Sequence, residues 1–320
     1  MPPTRQELFK EARQMYPHYT YLAKYKKHEL EALLDQKCSK TNDFKQWADN
    51  SCYIDSLLFV INLLQIKPRR IRSSPGSPQQ RQIITQIQES LNDLENTDTS
   101  TIRSLLQRFK GSIRIDWLIE QQEPMDLWRT LEEMFVMYKT KVLVEQIDGE
   151  TNTLIDQRTS VLDTAIHETL PKKQKRLSLV SSTTSTHTPS SLFRGQYRKR
   201  KERTTILKAD LLIFHINRRR FDTDTKVTDK VHIPMRMRPK ENETPLYLKA
   251  IIVHHGSSGT SGHYTTVFEC KGTWWEYDDM KTTIKRIGPT LPSSVLKNCT
   301  DCFLAQPAVH AALRGTQKHS

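Results

Sequence analysis

Residues 246–279 read LYLKAIIVHHGSSGTSGHYTTVFECKGTWWEYDD. Three runs rich in β-branched and aromatic residues are separated first by a Gly/Ser/Thr loop and then by a short turn, the pattern of successive antiparallel strands. Gly262 and His263 open the second run, and a glycine there lets backbone or substrate approach closely. Asp278 and Asp279 follow His263 by fifteen and sixteen residues. Two adjacent antiparallel strands can therefore set a carboxylate beside His263, the base-plus-orienter arrangement that an activated cysteine needs. His254 and His255 end the first run and receive no role.

Further strands are expected over Ile206–Asn217 (ILKADLLIFHIN) and Lys226–Pro234 (KVTDKVHIP). Upstream the period changes. Leu8, Ala12 and Met15, then Leu22, Tyr25, Leu30 and Leu33, recur at helical spacing. Helical patterns run on to about residue 140, interrupted by the breaker-rich KPRRIRSSPGSPQQ, Lys67–Gln80. Helices followed by strands argue for an α+β domain with its site in the cleft between the two halves. No internal repeat is evident.

A nucleophile for that cleft lies in WADNSCYIDSLLFVINLLQ, Trp47–Gln65. Asn50 or Ser51 can cap a helix starting near Cys52. Ile54, Leu57, Leu58, Ile61 and Leu64 then fall on one buried face. Cys52 in the first turn meets unpaired N–H groups and the positive end of the helix dipole, conditions that favour a thiolate. The alternative is a buried structural cysteine.

These two segments resemble the cysteine and histidine boxes of the ubiquitin-specific proteases, papain-like cysteine peptidases. Asn50, Ser51, Cys52, Tyr53, Ser56 and Leu57 match GLxNxGNTCYxNSxLQ, with Ser51 in place of Thr and Asp55 in place of the later Asn. Leu248, Ala250, Ile252, His254, Gly256, Gly262, His263, Tyr264 and Thr265, then Trp274, Trp275 (for Tyr), Tyr277 (for Phe), Asp278 and Asp279, match LxAVIxHxGxxxxGHYTAYV…WYxFDD. QQEPMDLWRTLEEMF, Gln121–Phe135, is similar to QQDAxEFLxxLL, and LLIFHINRRRF with KVHIP to LIIHLKRF…KxxxxVxFP. In Gln121–Phe135, Pro124 suits a first helical turn, and Leu127, Leu131, Met134 and Phe135 make the buried face. Arg219 and Arg220 extend the Arg-Phe pair and receive no catalytic role.

The resemblance covers about residues 45–285. It implies an α+β papain-like fold, with a helical thumb-like half against an antiparallel palm-like sheet and reduced fingers, since two CxxC pairs are missing between residues 140 and 205. The expected division is a helical extension over 1–40, a catalytic domain over 41–290 with a basic insertion at 171–203, and a tail over 291–320. The implied activity is a deubiquitinating thiol isopeptidase, with Cys52 as nucleophile, His263 as base, Asp278 orienting it and Asp279 assisting. Glu123 and Asp126, with Gln122, would face the arginines of the ubiquitin tail. The chain departs from the pattern upstream of the nucleophile, where Trp47 replaces the family's oxyanion Asn and Asp49 its glycine. Gln46 or Asn50, with the backbone N–H of Cys52, is the expected donor, and losing such a donor costs about 2.7–4 kcal/mol. The altered positions are similar to a divergent branch acting on SUMO-like proteins, which makes SUMO or another ubiquitin-like protein the alternative substrate. A catalytically inactive ubiquitin-binding module is the reading from another class. No cofactor or metal is implied.

Composition sets the frame. The chain has 320 residues, is 36% hydrophobic and 27% charged, and carries a net charge of +13. That suits a globular protein with irregular stretches. The longest apolar candidate, Ile54 to Ile66, falls short of the ~18–20 residues a membrane helix needs, so no membrane partner is expected. Without a signal-like apolar segment near the N-terminus, a cytoplasmic or nuclear protein is expected. Five scattered cysteines make a poor disulfide framework. Cys299 and Cys302 form a CxxC that would supply half a zinc site. Residues 171–203 hold ten basic residues and one acidic, so +9 of the excess charge sits there. Their Ser/Thr-rich middle offers little to bury and reads as disordered. Its basic flanks suit nuclear import or polyanion binding, or are simply a solvated edge.

Overall fold

A computed structural model of the chain describes residues 2–17, 19, 22–34, 44, 50–70, 77–109, 115–118, 120–137, 140–146, 161–165, 202–219, 225–239, 242, 244–258 and 261–306. Most of the basic insertion, Gln46, Trp47, Asp49 and Arg220 lie outside them. In chain order the first elements are α1 (Arg5–Met15), α2 (Lys27–Leu34), α3 (Cys52–Leu63), β1 (Arg69–Arg70), α4 (Pro78–Asn92), α5 (Thr99–Arg108) and α6 (Pro124–Met134). Strands β2 (Phe135–Val136), β3 (Thr140–Gln146), β4 (Val161–Ala165), β5 (Glu202–Ala209), β6 (Leu211–Asn217), β7 (Arg236–Met237), β8 (Leu246–His255), β9 (His263–Cys270), β10 (Thr273–Tyr277) and β11 (Lys285–Gly288) follow. Helix α7 (Ser293–Asn298) and strand β12 (Cys299–Ala305) close the described chain. The α+β expectation is borne out.

An eight-stranded sheet runs β11-β10-β9-β8-β12-β6-β4, with β7 pairing β8. Its ladders are antiparallel except β4 with β6. One face of β8 and β9, through Ala250, Ile252, Tyr264 and Phe268, joins the core beneath α3–α6. The opposite face, through Ile251, Val253 and Val267, packs with Val295, Cys302 and Leu304. This alternation is the period-two burial of a sheet covered on both sides. α3 lies directly on β9, and Thr266 Oγ1 donates to the Ser56 carbonyl at 3.1 Å.

Several local expectations change. α3 buries every residue from Cys52 to Ile61, including Asp55 and Ser56, rather than one stripe; a helix apolar on all sides belongs inside a core. Ser51 stands at its N-cap without a side-chain capping bond. The breaker-rich stretch ends in a true helix start, where Ser77 accepts from Gln80 N and Pro78 begins α4. Ile206–Asn217 divides at Asp210 into β5, paired with β3, and β6, in the large sheet. Residues 227–234 are not a strand. They are held by single bonds such as Val231 N to the Leu296 carbonyl, 3.0 Å, and Pro234 has no N–H for a ladder.

The boundary at 290 is also corrected. Residues 299–305 are no tail, because β12 fills the gap between β8 and β6, deep in the sheet. Cys299 and Cys302 are buried free thiols there, and Arg218 Nη2 lies 3.3 Å from Cys299 Sγ, a cation where a metal ligand set would need further donors. Cys270 is disulfide-bonded, its partner outside the described residues; pairing depends on distance in the fold, which spacing along the chain does not show.

At the N-terminus, Leu8, Ala12, Tyr16, Tyr19, Leu22 and Leu30 bury against Tyr247 of β8. Tyr19 Oη donates to Glu269 Oε2 at 3.0 Å, and the same oxygen is 2.8 Å from Lys249 Nζ, a buried ion pair. No described helix is long and apolar enough to cross a membrane.

Candidate active site

Cys52 is the first residue of α3 and 2% exposed. Asn50, two residues before it, takes φ 61°, in the left-handed region. His263 is the first residue of β9, paired in register with His255 at the end of β8. Gly262 stands between the loop and that strand, where a Cβ would lie 2.3 Å from the His255 carbonyl oxygen and 2.4 Å from His254 Nε2. Only a glycine passes there without displacing the histidine that follows.

β10 turns back beside β9, with Tyr277 opposite Thr266, and Asp278 is the next residue. His263 Nε2 stands 2.8 Å from Asp278 Oδ1, which also accepts from Met280 N at 3.0 Å. With Nε2 so engaged, Nδ1 is the nitrogen left for the sulfur. Burial lowers the His263 pKa, but the bonds to Asp278 and Cys52 and the charge of Asp279 win and hold it up at about 10. Burial raises Asp278, yet the bonds from His263 and Met280 N keep it below the usual carboxylate range. The structure thus brings the hydrogen-bonded pair His263–Asp278 beside Cys52.

Asp279 lies behind, buried, with Oδ1 3.7 Å from His263 Nε2. Burial, and then the charge of Asp55, push Asp279 up to about 8. Asp55 also accepts from Thr99 Oγ1. The donor atoms of His263, Asp278 and Asp279 lie within 4.8 Å of one another, close enough to surround a cation. Within the set, the 2.8 Å bond already joins His263 to Asp278.

The acidic residues before α6 divide. Glu123 faces His215 of β6, Oε2 3.4 Å from Nε2, and His215 Nδ1 is 2.7 Å from Asp301 of β12. Burial raises Glu123, but His215 outweighs it and keeps Glu123 lower than an ordinary glutamate. Asp126 bonds Glu123 N at 3.3 Å, and burial and the Glu123 charge raise its pKa. Gln122 turns to Glu120, Nε2 2.8 Å from Oε2.

One residue absent from the expected set reaches the centre. Gln121 Nε2 lies 2.6 Å from the Gly262 carbonyl and 4.0 Å from Cys52 Sγ. Its sequence signal was a place in the Gln-Gln pair before Pro124, indistinguishable there from Gln122. Asn50 is exposed, and Gln46 lies outside the described residues.

A nucleophile on a helix N-terminus, a base across the cleft and a carboxylate orienting it are the parts of covalent acyl transfer. No curated protein matches the chain. The family model described as ubiquitin carboxyl-terminal hydrolase matches residues 45–296.

Proposed function

The chain belongs to the ubiquitin carboxyl-terminal hydrolase family, and from that membership we propose that it is a thiol isopeptidase cleaving the bond after the C-terminal glycine of ubiquitin. The observation that carries this reading is His263, hydrogen-bonded to Asp278 and close enough to Cys52 for the thiol to help hold its pKa up. Cys52 sulfur attacks the glycine carbonyl carbon, and its proton passes to His263. The tetrahedral adduct collapses, the C–N bond breaks, and His263 gives that proton to the departing lysine amine. Water then attacks the thioester, losing a proton to His263, which returns it to the sulfur as the carboxylate leaves. Asp278 holds the ring's orientation and stabilises its charged form. Glu123 and Asp126 offer acidic groups to a basic tail.

Trp47 and Asp49, where the family carries Asn and Gly, favour a second reading in which the modifier is SUMO or another ubiquitin-like protein. The test is labelling by ubiquitin and SUMO probes bearing C-terminal electrophiles. The expected result is a ubiquitin adduct that Cys52→Ala abolishes. Preferential SUMO labelling moves the substrate assignment. No adduct with any modifier, beside retained ubiquitin binding, leaves the inactive-module reading instead.

A further inference from the structure

We propose that Gln121 is the side-chain donor that stabilises the oxyanion formed when Cys52 attacks. The proposal rests on the thiol-isopeptidase reading. Trp47 brings no carboxamide to the position five residues before the nucleophile, whereas Gln121 holds one beside the sulfur.

Gln121 comes from the far side of the cleft. It precedes Pro124, the first residue of α6, and that helix is anchored by the buried side chains of Leu127, Trp128 and Leu131. A carboxamide nitrogen has two hydrogens. One is directed to the Gly262 carbonyl at 2.6 Å, which ties the amide to the residue next to the base. The other is available on the sulfur side, with Nε2 4.0 Å from Cys52 Sγ. The oxyanion is bonded to the same carbon as the sulfur, so it arises between the two, and the spacing leaves room for it at the roughly 2.7–3.1 Å a donor requires. The Gly262 bond fixes the amide plane in advance, so no reorganisation accompanies the developing charge. The backbone N–H of Cys52, in the first turn of α3, supplies the second donor.

Among the described residues, His263 and Asp278 do not replace it. His263 is committed to proton transfer and Asp278 to His263, and an acid cannot donate once ionised.

The test compares Gln121→Ala and Gln121→Glu with the full-length wild type on whichever modifier the wild type cleaves, using a C-terminal fluorogenic amide. The expected result is a fall in kcat of about 10²–10³ with KM little changed. Alkylation of Cys52 by iodoacetamide forms an S–C bond and expels iodide without any oxyanion, so its rate is expected to hold. Affinity for an aldehyde-terminated modifier, whose hemithioacetal carries that oxygen, falls with kcat. Undiminished hydrolysis by Gln121→Ala overturns the inference and leaves the isopeptidase reading standing. Loss of alkylation together with hydrolysis also overturns it, since Gln121 would then only support the Cys52–His263 geometry. A wild type that hydrolyses no modifier overturns both.

Discussion

His215 stands directly across the β6–β12 ladder from Asp301, Nδ1 2.7 Å from Oδ1, with Glu123 3.4 Å from its other nitrogen. Burial disfavours a cation there, but the two acids outweigh it and raise His215 to about 10. Asp301 is 0% exposed whereas Glu123 reaches the cleft wall. The buried pair thus holds a carboxylate in place at the surface beside the nucleophile's helix.

Asp301→Asn leaves that buried imidazolium short of its main partner. Breaking a buried pair from one side costs about 3–5 kcal/mol, read as a lower urea midpoint. Because the folded pKa of His215 is raised above 6.5, its stabilisation is complete below that value and is lost as pH rises through about 10. The gap between wild type and variant is therefore widest near pH 6 and narrows toward pH 10. A gap that does not change with pH would rule out the electrostatic account.

Asp278→Asn keeps the shape of the orienting side chain but removes its charge. The downward pull of burial on His263 then prevails, and its pKa falls from about 10, a shift visible by NMR of the imidazole. A kcat loss of about 10²–10⁴ is expected, with modifier binding retained. Wild-type turnover in this variant would assign the orienting role elsewhere, with Asp279 the nearest candidate.

Asp55→Asn relieves a like-charge neighbour. Asp279 is pushed up to about 8, mainly by burial and then by Asp55. A raised folded pKa gives stability that is full below 3.8 and lost as pH rises through about 8. The variant keeps an acceptor for Thr99 and gains an amide donor toward Asp279. Its melting temperature is expected to match the wild type near pH 5 and exceed it at pH 8.5. The opposite order would mean that Asp55 is not the group raising Asp279.

Gly272→Ala probes how the N-terminal helices are held. Gly272 has φ 71°, and a Cβ there would lie 2.1 Å from the Met15 carbonyl oxygen. Its N–H also donates to Glu269 Oε1 at 2.7 Å, at the buried Lys249 pair. Backbone strain alone costs about 1–3 kcal/mol, and the overlap forces Met15 away from the turn. The expected outcome is a lower denaturation midpoint with faster proteolysis ahead of Cys52. Unchanged cleavage would show that this segment is anchored elsewhere.

Much of the local architecture was written in the chain. Alternating residues from Leu246 to Tyr277 announce β8, β9 and β10, and the run after Cys52 announces α3, because a strand or helix is a periodic object whose buried face shows in a short window. Pro124 and the apolar spacing behind it mark α6 in the same way. His263 and Asp278 were legible as partners because a hairpin brings neighbouring strands together over a short loop.

The tertiary structure decided what depends on distant segments meeting. Cys299–Ala305 is short, mixed in polarity and near the end of the sequence, yet it completes the sheet because β6 and β8 leave a strand-wide gap. Its place puts Asp301 against His215, 86 residues away. The choice of Gln121 over Gln122 came from the direction in which the chain enters α6, and the pairing of Asp55 with Asp279 from α3 lying on β9. Periodicity records which residues are buried. Only the packing of distant segments, α3 on the sheet among them, sets which buried polar groups meet, since each needs a partner that local sequence does not name.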